Sequence, residues 1–392
     1  MKFIGALMLA AGTTIGAGML ALPILTGLAG FVPTLWVYIL SWIVMTYAGL
    51  LLLEVILWMP EEANLVSMAQ STLGTWARYF SLLVYLFLFY SVLVAYLAGS
   101  ASVLVSILHS MAGLQITDFQ GIVLGLCLLI PTVYLGTQTI AVANLALVMG
   151  ICVSYFLLVY TGAPFVKGEN LSHVEWRHCL VGVPVIITSF TFQNVIPSLV
   201  SYLKRNVFQL RWVVLLGGLI PLLLYIVWEW LVLGILPLMG PAGIQEALTL
   251  GEPATHALQN WMQNPRITVF SDAFSFCAIM TSFLGVVLGL FDFLADTTSI
   301  PKKGMGRWLL CVLIFTPPFF FAWVYPKAFF TALGYAGGIG CVLLFLVLPP
   351  MMVWRGRYHQ HRVGPYRVAG GKPLLVLTAL IGLGIFGLQV FS

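Results

Sequence analysis

Residues Gly12-Thr13-Thr14-Ile15-Gly16-Ala17-Gly18-Met19-Leu20-Ala21-Leu22-Pro23 lie inside a hydrophobic segment that runs from Phe3 to about Gly30. Its glycines and threonines make a poor continuous helix, since an interior glycine costs roughly 1 kcal/mol relative to alanine. In a bilayer, irregular backbone survives only where protein or a water-filled cavity satisfies its amides and carbonyls. An unwound segment there presents free N–H groups, free carbonyls and a half-helix N-terminus. Those groups suit a carboxylate with a cation close by. The simpler reading is a helix-packing face, with Gly12 and Gly16 as a small-xxx-small pair. A second interruption, at 188–198, weighs against it.

The bilayer is the relevant solvent because only 7% of the 392 residues are charged, against about 25% in soluble proteins. The composition implies an all-α polytopic membrane protein. Eleven spans are expected, at roughly 3–30, 32–58, 79–108, 121–138, 142–165, 180–203, 212–236, 269–294, 307–324, 328–353 and 373–391. They form one transmembrane domain over 1–392, with no soluble domain expected. Met1-Lys2 and the apolar run to Ala11 resemble a signal peptide, but the run continues past Ala10-Ala11-Gly12, which favours a first span.

Positive charge sets the expected orientation. With the N-terminus cytoplasmic, 13 of the 17 Lys and Arg fall inside, and only Lys167, Arg177, Arg266 and Lys327 fall outside. The C-terminus is then outside. The net charge of +5 reflects this topology and contact with anionic lipid, not nucleic acid. Cys127, Cys152, Cys179, Cys277, Cys311 and Cys341 are scattered without a CxxC pair and read as small apolar residues. His359 and His361 fall in a basic loop rather than a metal motif. No metalloprotease, nucleophile-elbow or phosphate-loop motif is present, so no cofactor and no enzymatic activity are expected.

The second interruption reads Thr188-Ser189-Phe190-Thr191-Phe192-Gln193-Asn194-Val195-Ile196-Pro197-Ser198. Proline removes a backbone donor and clashes with the preceding turn. Spans 1 and 6 are thus both broken, and both carry a proline after the polar stretch (Pro23 and Pro197). Two five-helix sets of opposite topology, each opening with a broken helix, mark an inverted-repeat secondary transporter. Repeat one is 1–166, repeat two 167–353, and the helix at 373–391 is additional.

Several segments then carry a specific resemblance: GTTIGAGMLALP (12–23), LLLLEV (50–55), TSF (188–190), IPSLVSYL (196–203), LRWV (210–213) and TSFLGVVLGLFDFLAD (281–296). Spread over nearly the whole chain, they resemble the hydroxy/aromatic amino-acid permease family, and most of all its tyrosine-specific members. The resemblance implies the leucine-transporter-type fold and ion-driven uptake of amino acids, usually with protons. One departure is Gln193-Asn194, where relatives often carry His-Gly; any role of that histidine does not transfer.

A zwitterionic substrate needs two polar clamps. The amides of Thr14, Gly16, Ala17 and Gly18 suit the carboxylate; carbonyls near Gly12 and Thr13, with Ser189 and Phe190, suit the ammonium. The resemblance supports this division. An aromatic side chain needs an apolar pocket with one polar contact. Phe190, Phe192, Gln193 and Asn194 are local candidates, joined by Tyr90 of span 3 and Phe283 of span 8, although each aromatic also has a core or lipid-facing reading.

Ionisable residues within the membrane are functional by default, because their burial is costly. Glu54, Asp292 and Asp272 are the coupling candidates. Asp292 and Asp296 sit one turn apart and invite a shared proton, unless Asp296 pairs with Lys302 or Arg307. Glu229, between Trp228 and Trp230, reads as interfacial. Sodium-coupled proteins of this fold place a carbonyl and two hydroxyls at the spacing of Ala278, Thr281 and Ser282, facing carbonyls such as those of Gly12 and Ile15. The same hydroxyls can instead bond their own helix. The expectation is a functional monomer in a bacterial inner membrane that imports tyrosine or a related amino acid with H+, or alternatively Na+. Tryptophan or serine/threonine is the alternative substrate, and an intramembrane enzyme the alternative class.

Overall fold

The computed structural model describes residues 2–60, 63–135 and 137–391, which form helices and no strand. The helices are α1 (Lys2–Thr14), α2 (Gly18–Thr26), α3 (Phe31–Leu57), α4 (Leu65–Leu73), α5 (Thr75–Ala112), α6 (Asp118–Leu135) and α7 (Thr137–Gly162). They continue with α8 (Gly168–Leu171), α9 (Val183–Ser189), α10 (Ile196–Tyr202), α11 (Val207–Ile235), α12 (Ile244–Leu250) and α13 (Ala254–Met262). The last are α14 (Pro265–Thr298), α15 (Gly304–Val324), α16 (Phe329–Tyr335), a π-helical stretch (Ala336–Val347), α17 (Leu348–Tyr358) and α18 (Gly371–Phe391).

Among the described residues nine helices are long and apolar enough to cross a membrane, and ten with the bent pair α1–α2 counted as one span. The expected fourth span falls on a shorter apolar helix, Asp118–Tyr134. The chain is therefore a multi-pass membrane protein.

Prolines shape the interior, and the carbonyls they orphan find side-chain donors. Pro23 lies inside α2 and has no N–H for the carbonyl four residues earlier. That carbonyl, of Met19, accepts from the indole Nε1–H of Trp228 at 3.0 Å. Pro317 does the same to Leu313 in α15, and the Tyr90 hydroxyl donates to the Leu313 carbonyl at 2.8 Å. A buried unpaired carbonyl costs about 1–3 kcal/mol, so Trp228 ties α11 to α2, and at the lipid-facing Leu313 Tyr90 supplies a donor that hydrocarbon cannot.

The centre of the bundle is made by α1, α2, α9 and α10, packed against α3, α11 and the π-helical stretch, and α14 meets the first break through Ser282. Beyond α14 lie α5 and α7, and α18 covers the π-helical stretch and α17 from outside. The Arg205 guanidinium donates to the carbonyls of Leu57 at 2.8 Å and Met59 at 3.0 Å, capping the end of α3 and fixing the α10–α11 turn to it.

Candidate functional site: two broken helices

The first break has a local cause. The hydroxyls of Thr13 and Thr14 donate back to the carbonyls of Ala10 and Ala11 at 2.8 and 2.7 Å, competing with the ladder at the end of α1. Ile15, Gly16 and Ala17 then leave the helix, and α2 restarts at Gly18 with a bend of 52°. Ala17 N–H donates to Ser282 Oγ at 3.1 Å, while Ser282 Oγ–H donates to its own helix at Ala278 O, 2.8 Å away. Among the described residues the N–H groups of Gly16 and Gly18 find no acceptor. A Cβ on Gly16 would collide with Ser282 Oγ, and one on Gly18 with Ser189 Oγ. Gly12 is exposed with nothing near its Cα face, so Gly12 and Gly16 do not form a packing pair.

The second break follows Ser189. Phe190, Thr191 and Phe192 leave the helix, and a 3₁₀ turn at Gln193–Val195 leads into α10. The two breaks meet at Tyr225 of α11. Its hydroxyl lies 2.6 Å from the carbonyl of Thr14 and 2.9 Å from that of Ser189, the last residues of α1 and α9. One phenolic hydrogen cannot fully satisfy two carbonyls, so acceptor capacity is left over beside both breaks. Phe190 is buried with its ring 5.3 Å from Tyr225 and 6.3 Å from Tyr38.

The other sequence candidates divide. Phe192 is buried beneath the break, but the Gln193 amide serves the scaffold. Its Oε1 accepts from Phe192 N–H at 2.9 Å and its Nε2 donates to Met45 O at 2.9 Å. Asn194 is exposed. Tyr90 is committed to the Leu313 carbonyl, away from both breaks. Phe283 is buried between Tyr96 and Phe315, next to Ser282. Of the oxygen set proposed for sodium, Ser282 reaches the break, but Thr281 turns to the Asn144 side chain of α7. Thr13 and Gly12 are exposed, while Ile15 and Ala278 lie at the break.

The carboxylates are dispersed. Glu54 is buried and paired with Arg357, which donates Nε–H to Oε1 at 2.7 Å and NH2 to Oε2. Val368 N–H adds a third bond at 2.7 Å. Asp272 is buried and accepts from Gln259 Nε2 at 2.7 Å, Ser110 at 2.9 Å and Ser106 at 3.1 Å. Asp292 is exposed and paired with Lys302 at 2.8 Å. The side chain of Asp296 lies outside the described residues. Glu229 is not interfacial: it is fully buried, because α11 turns this residue inward between α2 and α3. Thr26 Oγ1 lies 2.6 Å from its Oε1, and Tyr38 donates to Oε2 at 2.7 Å. Sequence reasoning missed Tyr38, Tyr225 and Trp228. Their signal was the spacing of Tyr225 and Glu229, one turn apart on one face of an apolar helix.

A cavity of about 390 Å³ opens at one end of the bundle, lined among others by Asp118, Glu252, His256, Gln259 and Lys327. Asp272 lies beneath it, among Ser106, His256 and Gln259. The lining of the cavity is largely polar and charged, and the paired breaks present free donors and acceptors elsewhere in the bundle. Among the described residues no cluster of three metal-ligating side chains exists.

Residues 1–389 match the tryptophan/tyrosine permease family, and the chain belongs to it. It is a permease and not an enzyme. The chain is 33% identical to tyrosine-specific transport system 2 of Haemophilus influenzae, over 98% of this chain and 95% of that protein. It is 32% identical to tyrosine-specific transport system 1 of the same organism, over 97% and 95%. A tryptophan-specific transport protein, also from Haemophilus influenzae, is 28% identical over 97% and 94%.

Proposed function

We propose that this permease imports an aromatic amino acid, tyrosine first, across a bacterial inner membrane by alternating access driven by an ion gradient. One observation carries the reading: two interrupted helices meet at the Tyr225 hydroxyl, with unpaired N–H groups at Gly16 and Gly18 and surplus carbonyl capacity at Thr14 and Ser189. The substrate carboxylate is received by the glycine amides and the start of α2. Its ammonium is received by the Thr14 and Ser189 carbonyls. The aromatic ring packs near Phe190, Phe192 and Phe283. This supports an arrangement of eleven spans, with repeats at 1–166 and 167–353 and an additional helix at 373–391. The N-terminus is then cytoplasmic, the C-terminus outside, and the 390 Å³ vestibule opens outward.

Protons are favoured over sodium because only one of the two hydroxyls in the sodium set faces the first break. Tryptophan is the second reading, supported by the tryptophan-specific relative at 28% identity. Purified protein in proteoliposomes, given labelled tyrosine or tryptophan with imposed proton or sodium gradients in turn, tests both choices. Tyrosine accumulation driven by an inward proton gradient without sodium is the expected outcome. Accumulation that requires sodium, or that occurs only with tryptophan, sinks the corresponding choice.

A further inference from the structure

At Glu229 a shared hydroxyl coincides with a buried carboxyl that, among the described residues, has no cation and no N–H partner. It sits in α11 with no exposure, and two hydroxyls reach it, Thr26 at 2.6 Å and Tyr38 at 2.7 Å. Thr26 Oγ1 is also 2.7 Å from the carbonyl of Leu22 in its own helix. A threonine hydroxyl has one hydrogen. Were Glu229 ionised, both of these short contacts from Thr26 would point at acceptors, and only one could contain a hydrogen. The other would hold two oxygens together at hydrogen-bond distance with no proton between them. A proton on Oε1 of Glu229 closes every bond. The carboxylic acid donates to Thr26 Oγ1, Thr26 donates to Leu22 O, and Tyr38 donates to Oε2.

The surroundings agree. The titratable group facing Glu229 from α3 is Tyr38, and on its own helix Tyr225 stands one turn away. From α2 the contact is Thr26, which does not titrate. On α7, Tyr155 packs on the neighbouring Trp228. On the loops and short helices beside this part of α11, Lys167 and Glu169 are exposed, and His256 of α13 pairs with Glu252. None of the ion pairs formed among the described residues includes Glu229. At Asp272 the hydroxyls are shared in the same way, Ser110 with Ile107 O at 3.1 Å and Ser106 with Gln259 Oε1 at 3.0 Å, but an amide N–H of Gln259 also serves this carboxylate and it borders a cavity.

We infer that Glu229 holds a proton in this conformation and that its release is linked to movement of α2. On release, the proton passes to water. The Thr26 hydrogen then turns to the carboxylate, and Leu22 O loses it. Leu22 and Thr26 both belong to α2, the half-helix that begins with the Gly18 N–H. Trp228, beside Glu229, holds Met19 of the same half-helix. Proton occupancy and substrate capture therefore act on one element, which is the condition for linkage between two sites. The transport consequence rests on the ion-coupled import proposed above; the protonation itself does not.

Two measurements separate them. Infrared difference spectra of the full-length protein, compared with Glu229→Gln, read protonation directly. The carbonyl stretch of a buried carboxylic acid should be present in the parent and absent in the variant, and identical spectra overturn the inference. Tyrosine counterflow and gradient-driven uptake in proteoliposomes read the linkage. Glutamine supplies a donor towards Thr26 and an acceptor towards Tyr38, as the acid does, without a proton to release, so Glu229→Gln should keep counterflow and lose at least tenfold in proton-driven accumulation. Accumulation at the parent level overturns the linkage. If Glu229→Gln fails to fold, Thr26→Val and Thr26→Ser decide it. Valine should lower accumulation several-fold with counterflow retained, serine should not, and equal behaviour of the two overturns the linkage. If the parent itself shows no proton-driven uptake, the importer reading loses its proton, and the infrared comparison still decides whether Glu229 is protonated.

Discussion

Glu54 and Glu229 are the same residue type at the same burial, 1% and 0% exposed, and the fold treats them oppositely. Glu54 meets an arginine and a backbone N–H, so its charge is held in place and ties α3 to α17 and to the segment before α18. Glu229 meets only hydroxyls. A carboxylate held by a guanidinium and a backbone N–H has its charge balanced by the fold; one that meets only hydroxyls has no cation beside it. Burial alone therefore does not distinguish the two carboxylates. The partners decide.

The largest effect should come from unpairing Glu54. Arg357→Ala leaves Glu54 buried without its cation, a change that costs about 3–5 kcal/mol. Thermal unfolding in detergent should show it as a large drop, and Glu229→Gln should show little. Comparable losses in the two variants would erase the distinction between them.

Next in size is the substrate clamp. Gly18→Ala should weaken tyrosine binding by about 1.5–3 kcal/mol, the worth of hydrogen bonds to a charged group. A Cβ there also presses on Ser189 Oγ, so the cleaner comparison is Gly18→Ala with Ser189→Ala against Ser189→Ala alone. Equal tyrosine affinity in those two proteins would move the carboxylate elsewhere.

Gln193→Ala sharpens the line between scaffold and site. Its amide serves Phe192 N–H and Met45 O, so the loss should be roughly 1–3 kcal/mol of stability. Binding of tyrosine and phenylalanine should fall together. A loss confined to tyrosine would assign Gln193 to the substrate phenol.

The smallest effect belongs to the vestibule pair. The hydrogen bond from His256 holds the Glu252 carboxyl below its ordinary value. A depressed carboxylate stabilises the fold above its unfolded value and loses that contribution as pH falls through the folded one, so the change lies below about pH 4. The pair is partly exposed, and solvent screening limits it to less than about 1 kcal/mol. Unfolding curves of His256→Ala against the parent, near neutral pH and again below the carboxylate range, should differ only in the first condition.

The sequence by itself determined what is local. Apolar runs of about 20 residues specify spans because lipid leaves backbone groups no other partner. The glycines at 12–18 and the polar run before Pro197 specify interruptions because they weaken the ladder wherever they are placed. The tertiary structure decided the partners. Arg357 reaches Glu54 across 303 positions, and no pattern along the chain foretells it. Nor does any pattern along the chain show that the Tyr90 hydroxyl serves a carbonyl that Pro317 freed on another helix. Glu229 looked interfacial beside two tryptophans, but the rotation of α11 buries it, and Trp228 serves the carbonyl that Pro23 released. Helix content follows from near neighbours in sequence. The state of a buried polar atom follows from whichever donor or acceptor packing brings within 3 Å, and that is fixed only when all the helices are in place.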